Sequence, residues 1–462
     1  MLAKLKKKYI GDWDFYQKYL LLAIPMILQN AITNLVSFLD NIMVGQLGTE
    51  QMSGVAIVNQ LIFVYNLAIF GAVSAASIFG AQYFGKGNHK GHMYSFRFKL
   101  YATLLVTGGA ILLFLTKGSA LISLYLTDTV GNGATDLALQ YGLEYLAIMM
   151  VGLIPFAVNQ SYATNIKETG QTFIPMLASF VAVGTNAILD YLMIFGIGPF
   201  PELGVQGAAL ATVIARYIEA LIVVIWAHIH RGKNRYLEGA YTGFGIPLAE
   251  LKAILIKGFP LMMNEVLWAA GMTTVTQCYS VRGLDVVAGL NIASTITNLF
   301  NIVYLQLGSC ISIVVGQYLG GGKLEDAKDA DNKMIVFSVF CCAIMAVLMF
   351  VVGGFFPGIY NTTEEIRELA TSFIAVSAII MPFCAFSHAS YFTLRSGGKT
   401  VVTFLFDSVF TWVIVVPAAY LLAHFTGLGI VGIYFLVQGT ELIKVIIGYL
   451  MVKSNVWVVQ MV

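Results

Sequence analysis

Ala81-Gln82-Tyr83-Phe84-Gly85-Lys86-Gly87 closes one long apolar stretch, and 235 positions later Gly316-Gln317-Tyr318-Leu319-Gly320-Gly321-Gly322 closes another. Outward from this pair, further matches keep the same order. Pro25 and Pro260 share the offset of 235, and each is read as opening a helix, the first and the seventh. Ile154-Pro155-Phe156 pairs with Met381-Pro382-Phe383 at 227, and Gly170-Gln171-Thr172 with Gly398-Lys399-Thr400 at 228. Gly204 and Gly207 recur as Gly429 and Gly432 at 225. A single match means little, because Gly and Pro are common in membrane helices. Five in one order, with slowly drifting offsets, mark an internal duplication.

What is duplicated follows from composition. Of 462 residues, 58% are hydrophobic and 11% charged, whereas a soluble domain carries about 25% charged residues. Apolar stretches lie near 18–45, 52–80, 96–126, 137–160, 170–195, 205–228, 250–278, 286–315, 334–356, 368–393, 400–424 and 428–452. Each is long enough to cross a hydrocarbon core of about 30 Å as a helix. The ten-residue alternation of a membrane β-barrel is missing. The expected fold class is therefore an all-α membrane protein of twelve transmembrane helices. Residues 1–228 form the N-terminal lobe with helices one to six, 229–249 a cytoplasmic linker, and 250–462 the C-terminal lobe with helices seven to twelve. Six spans per half make both halves enter from the same side. The lobes are then parallel repeats related by a pseudo-two-fold axis along the membrane normal.

Charge in the connections sets the orientation. With the N-terminus cytoplasmic, the inside segments hold 21 Lys and Arg, and the outside segments hold only Lys117, Arg282 and Arg367. This bias satisfies the positive-inside rule and puts both termini in the cytoplasm. The basic run Lys4-Leu5-Lys6-Lys7-Lys8 precedes an apolar run too long for a signal peptide, with no small-residue cleavage site after it, so the first helix is expected to stay. Net charge of +2 offers no footprint for nucleic acid. Five cysteines, all in apolar segments, read as core residues rather than a disulfide framework. Gly398-Lys399-Thr400 ends like a P-loop, but Thr393 stands where the first Gly is required. Hydrolase and metalloprotease signatures are likewise missing, so an enzyme is not expected.

Ionisable residues within the spans are the informative ones, since a charge in hydrocarbon costs several kcal/mol unless paired or hydrated. Asp40 lies near the outer end of helix one, and Asp190 at a similar depth in helix five, with Asn186 one turn away on the same face. Two carboxylates and an amide suit a hard monovalent cation such as sodium, and equally a shared proton. The alternative is that each Asp serves a neighbouring helix structurally. Thr212 in helix six offers one more oxygen. In the second half, Glu265 beside Asn264 either attracts a cationic substrate or faces Lys252 or Lys257. Arg216 with Glu219, and Glu441 with Lys444, sit i, i+3 and read as ion pairs. Gln29, Thr33, Ser37 and Asp40 share one face of helix one, and Asn291, Thr295 and Asn298 one face of helix eight. Both faces are expected to point into a cavity or a helix interface. The repeat partner of Asp190 is Ala418 and that of Asp40 falls near Val275, so the carboxylate site is expected only in the first half.

Pro25, Asp40-Asn41-Ile42-Met43-Val44-Gly45, Gly80–Gly85, Lys167–Thr172 and Gly204-Val205-Gln206-Gly207-Ala208-Ala209 together resemble the multidrug and toxic compound extrusion (MATE) transporters. The resemblance runs along essentially the whole chain. It implies a secondary antiporter that exports organic cations and drugs in exchange for protons or sodium by alternating access. It also implies that Asp40, Asn186 and Asp190 form the coupling site; the residues themselves add Thr212 as an expected oxygen ligand, with a structural role as its alternative, and Gln29, Glu265, Asn291 and Asn298 as expected substrate-binding residues. One branch of that family also uses an acid in helix ten, and Pro382–His388 contains none, so coupling through the first lobe is expected. Expected partners are small cationic or amphipathic molecules and the lipid bilayer, with no nucleic acid and no cofactor beyond the coupling ion. The chain is expected to act as a monomer in the inner (plasma) membrane. The rival within transport is a flippase for lipid-linked saccharides.

Overall fold

In hydrocarbon every backbone N–H and C=O must be satisfied within its own segment, and helices do this for each of the apolar runs. A computed structural model describes residues 8–126, 132–243 and 245–462, with backbone alone at Phe38 and 132–134. Twelve spans follow one another: α1 Trp13–Gly45, α2 Thr49–Lys86, α3 His89–Ser123, the two-part α4 Asn132–Val151 and Leu153–Glu168, α5 Phe173–Ile194 and α6 Val205–Ile229. The second half supplies α7 Leu248–Ser280, α8 Leu284–Gly320, α9 Leu324–Gly353, α10 Glu364–Ser396, α11 Thr400–Phe425 and α12 Ile430–Lys453. No strand occurs among the described residues. Lys4, Lys6 and Lys7 of the charge count lie outside the described residues, as do residues 127–131.

Two details differ from the sequence reading. Pro25 and Pro260 do not open α1 and α7 but lie inside them. A membrane helix tolerates this because neighbouring groups re-satisfy the freed carbonyl. The fourth span is also bent, by 44° at Gly152. Pro155 lacks the N–H that would bond the Val151 carbonyl, and Gly152 resists bending least. The break is served by side chains: Tyr65 donates to the Leu153 carbonyl at 3.0 Å and Arg216 to that of Gly152 at 3.4 Å.

The chain forms two compact units. The first comprises Ile24–Gly80 and His89–Leu251; the second takes the chain through Ala23, Ala81–Asn88 and Lys252–Val462. The repeated stretch explains the placement of Ala81–Asn88. A Cβ on Gly85 would strike the Gln317 carbonyl, and one on Gly320 would strike the Gln82 carbonyl. Positions 82 and 317, like 85 and 320, are repeat partners, so the duplicated sequence packs reciprocally against itself. Small residues let the two backbones touch, a common device between membrane helices. Gln82 is fully buried there; its amide donates to the Ser396 carbonyl at 2.9 Å and its Oε1 accepts from Met461 N at 2.8 Å. Gly85→Ala and Gly320→Ala are each expected to destabilise by about 1–3 kcal/mol through overpacking. Thermal unfolding of the purified protein checks this, with Gly109→Ala, whose Cβ meets open space, as a neutral control.

The segment after α6 is docked rather than slack. Tyr236 is 1% exposed, and the Arg97 guanidinium donates to the carbonyls of Gly239, Ala240 and Gly245 at 2.7 to 2.9 Å. Residues 229–249 thus fold with the first unit.

Candidate ion-coupling site

Three elements of the first unit converge on one polar patch. The small residues Ala208, Ala209 and Ala211 and Gly207 of α6 let it lie close to α5, where a Cβ on Gly207 would strike the Met193 backbone at 2.6 Å. That approach carries Thr212 against Asn186, whose amide donates to Thr212 Oγ1 at 3.4 Å. One turn further along α5, the Asp190 carboxyl meets that of Asp40 from α1, with the Asn186 amide alongside. Asp190 is 1% exposed and Asn186 6%, while Asp40 is half-buried. Asp40, Asn186, Asp190 and Thr212 are thus brought together.

Donors are scarce among the described residues of this patch. No well-aligned hydrogen-bond donor among the described residues reaches Asp40 Oδ1 or either oxygen of Asp190. Buried acceptors are nearly always satisfied, and facing carboxylates repel each other. Such a pair holds together only around a positive charge, either a shared proton or a small cation. The available ligands are all oxygens, the donor type of a hard cation. Tyr145 of α4, buried and bonded to Asn59 Oδ1 at 3.3 Å, lies within electrostatic reach of both carboxylates and of Arg216. The sequence reading missed this tyrosine, because nothing in an aromatic-rich span singles it out.

Other residues fall elsewhere. Gln29 donates to Ser179 Oγ at 2.7 Å, and that hydroxyl donates on to Glu219, which Asn159 also approaches. Arg216 therefore does not form the expected ion pair with Glu219; its guanidinium sits 5.2 Å over the Phe156 ring. Spacing of i, i+3 permits contact, but buried side-chain donors compete for Glu219 and the α4 kink competes for Arg216. Thr33 and Ser37 of the same α1 face are exposed, and each bonds back to a carbonyl of its own helix.

In the second unit Glu265 is half-buried and lies within electrostatic reach of Arg395 and Asp407, not of Lys252 or Lys257. Asn291 and Asn298 are exposed on α8. Of the four expected substrate residues, Gln29 belongs to the first unit and the other three to the second. The expected Glu441–Lys444 pair also fails, because Lys444 instead bonds Asp407 Oδ1 at 2.6 Å. Asp407 is a further, half-buried carboxylate in the second unit, and the sequence reading did not single it out. Its signal was present, since it is the only acidic residue between Thr400 and Phe425. Two π-helical turns, Leu405–Val409 and Thr411–Val415, interrupt α11 around it. The widened backbone lets Ser408 N and Oγ reach Asn264 Oδ1 at 3.3 and 2.8 Å, while Asn264 donates to Asp407 Oδ2 at 3.1 Å.

A family model described as MatE matches twice, at residues 25–192 and 260–421, beginning at Pro25 and at its repeat partner Pro260. The chain belongs to the MatE family. Family membership bears out both the resemblance and the duplication. Among MatE relatives, the Probable multidrug resistance protein NorM of Thermotoga maritima is 23% identical over 413 residues, covering 89% of this chain and 86% of that one. The Uncharacterized transporter YisQ of Bacillus subtilis is 22% identical over 446 residues, covering 94% and 93%. Among solved structures, a MOP superfamily transporter from Pyrococcus furiosus superimposes with a TM-score of 0.85 at 20% identity, covering 96% of each chain. An outward-facing multidrug resistance MATE family transporter gives the same TM-score, identity and coverage. These likenesses establish the MatE fold for the chain.

Proposed function

We propose that this MatE protein is a secondary antiporter that expels organic cations and drugs across the inner membrane in exchange for protons or sodium. The observation that carries this reading is the facing Asp40–Asp190 pair, in which no well-aligned donor among the described residues reaches Asp40 Oδ1 or either oxygen of Asp190. An incoming proton or sodium ion satisfies the pair and lets α1 pack closely on α5 and α6. Loss of that ion leaves two like charges in contact and drives α1 away. Because α1 carries only one of the two carboxylates, its position is the variable that the ion controls. A ligand shifts a conformational equilibrium only by its differential affinity for the two states, and a charge that is compensated in one state alone supplies such a difference. Alternating access of a substrate site then follows from the two packings of α1. Substrate chemistry is read from the names of the NorM relatives and from Glu265, a half-buried carboxylate with no hydrogen-bond partner among the described residues.

The test is transport in proteoliposomes of a fluorescent organic cation such as ethidium, with sodium and proton gradients imposed separately. Accumulation driven by one of the two gradients, and collapsing when that gradient is dissipated, is the expected result. If neither gradient moves ethidium or any of a panel of organic cations, the proposal falls.

A further inference from the structure

A second polar site lies entirely within the second unit. It is a crevice of about 480 Å³ where the first described residues, the start of α9, the end of α12 and the segment after it come together. Its wall is apolar on one side, at Ile335, Val336 and Phe386, and aromatic on another, at Tyr9, Tyr449 and Trp457. Val336 is 39% exposed, so the apolar side continues into the outer surface of the spans. Amphipathic rings flanking an apolar surface are what a protein presents at the level of lipid headgroups.

The charges of the crevice do not cancel by pairing. Lys328 bonds Glu325 at 2.7 Å and Lys333 bonds Asp329 at 2.5 Å, which disposes of those four. Three remain. Lys8 and Lys453 lie over the rings of Tyr9 and Tyr449, at 5.2 and 5.6 Å, and neither has a carboxylate partner among the described residues. Asp331 is 1% exposed; Thr393 donates to its Oδ1 at 2.5 Å, and no donor among the described residues bonds its Oδ2. A buried carboxylate with one oxygen unbonded among the described residues, in the wall of a crevice that also holds two ammonium groups without a carboxylate partner there, calls for a ligand carrying both signs of charge.

We propose that this crevice binds the phosphoethanolamine headgroup of a membrane phospholipid. The phosphate meets Lys8 and Lys453, the primary amine donates to Asp331 Oδ2 beside the Trp457 ring, and the acyl chains leave along Val336 and Phe386. Each competing headgroup lacks one element. Glycerol carries no amine and leaves Asp331 uncompensated. Choline carries a cation that has no N–H to give. A soluble zwitterion carries no chains for the apolar wall.

The purified full-length protein, stripped of lipid in detergent, is offered dioleoyl-phosphatidylethanolamine, -phosphatidylglycerol and -phosphatidylcholine in turn, and retention is read by native mass spectrometry. Phosphatidylethanolamine is expected to bind at least about tenfold more tightly than the other two, the usual consequence of one added charge-assisted hydrogen bond. Asp331→Asn is expected to erase that preference while leaving phosphatidylglycerol binding unchanged. Lys453→Gln, at an exposed position that folding does not depend on, is expected to weaken all three lipids. Equal retention of the three lipids by the wild type, or a preference that survives Asp331→Asn in folded protein, overturns the proposal. So does soluble phosphoethanolamine binding as tightly as the lipid, which would assign the crevice to a soluble zwitterion.

Discussion

Asp190→Asn is expected to abolish the proposed gradient-driven efflux, down to the level of vesicles without protein, and at the same time to make the protein more stable. The two effects share one cause. In the wild type, Asp190 and Asp40 face each other without donors, which is costly unless a proton or sodium ion sits between them. An amide at position 190 keeps the shape and supplies the missing donor to Asp40. The gain is expected to be about 1–3 kcal/mol, the usual worth of satisfying a buried polar group. It should be largest at high pH without sodium, where the wild-type pair is least compensated, and smallest in acid, where a proton already bridges the carboxylates. Thermal unfolding across pH, run beside ethidium transport, measures both. A stable Asp190→Asn protein that still couples ethidium to a gradient would remove the pair from the mechanism. Asp40→Asn should behave alike. Stability gained and activity lost together is the pattern of a site held under tension for function.

The second large effect lies in the other unit and has the opposite sign. Lys444→Met is expected to destabilise by about 3–5 kcal/mol, because it strands the Asp407 carboxylate in a buried site. The pair is 2.6 Å apart with side chains 8% and 16% exposed, and the ammonium also lies 5.4 Å over Phe406. The double variant Asp407→Asn, Lys444→Met should recover most of that loss, since an amide needs no counter-ion and Asn264 still has an acceptor to serve. A double-mutant cycle by thermal unfolding isolates the coupling. Lys444→Met as stable as the wild type would show that the pair contributes nothing to folding. This contrast separates the two units' acids: Asp407 is paired with Lys444, whereas no cationic side chain among the described residues forms an ion pair with Asp40 or Asp190.

Most of the architecture was legible before any coordinates. Apolar run length dictates twelve helices, because a span admits no other backbone solution in hydrocarbon. The repeat at Ala81–Gly87 and Gly316–Gly322 dictates two equivalent halves, and the family match divides at the same point. Asp40, Asn186, Asp190 and Thr212 were also readable, since a carboxylate in an apolar run is expensive wherever it ends up. Partnership was not readable. Sequence spacing proposed Arg216 for Glu219 and Glu441 for Lys444, and the fold gave neither. Ser179 and Asn159 reach Glu219 from other helices, and Asp407 reaches Lys444 from 37 positions away. A helix determines from its own residues which side chains share a face. Which of several candidate partners fills that face depends on close approaches set by small residues, such as Gly207 against Met193, and on backbone irregularities such as the α4 kink and the π-turns around Asp407. Those are decided by the sum of packing over the whole unit, and no local stretch of sequence contains that sum.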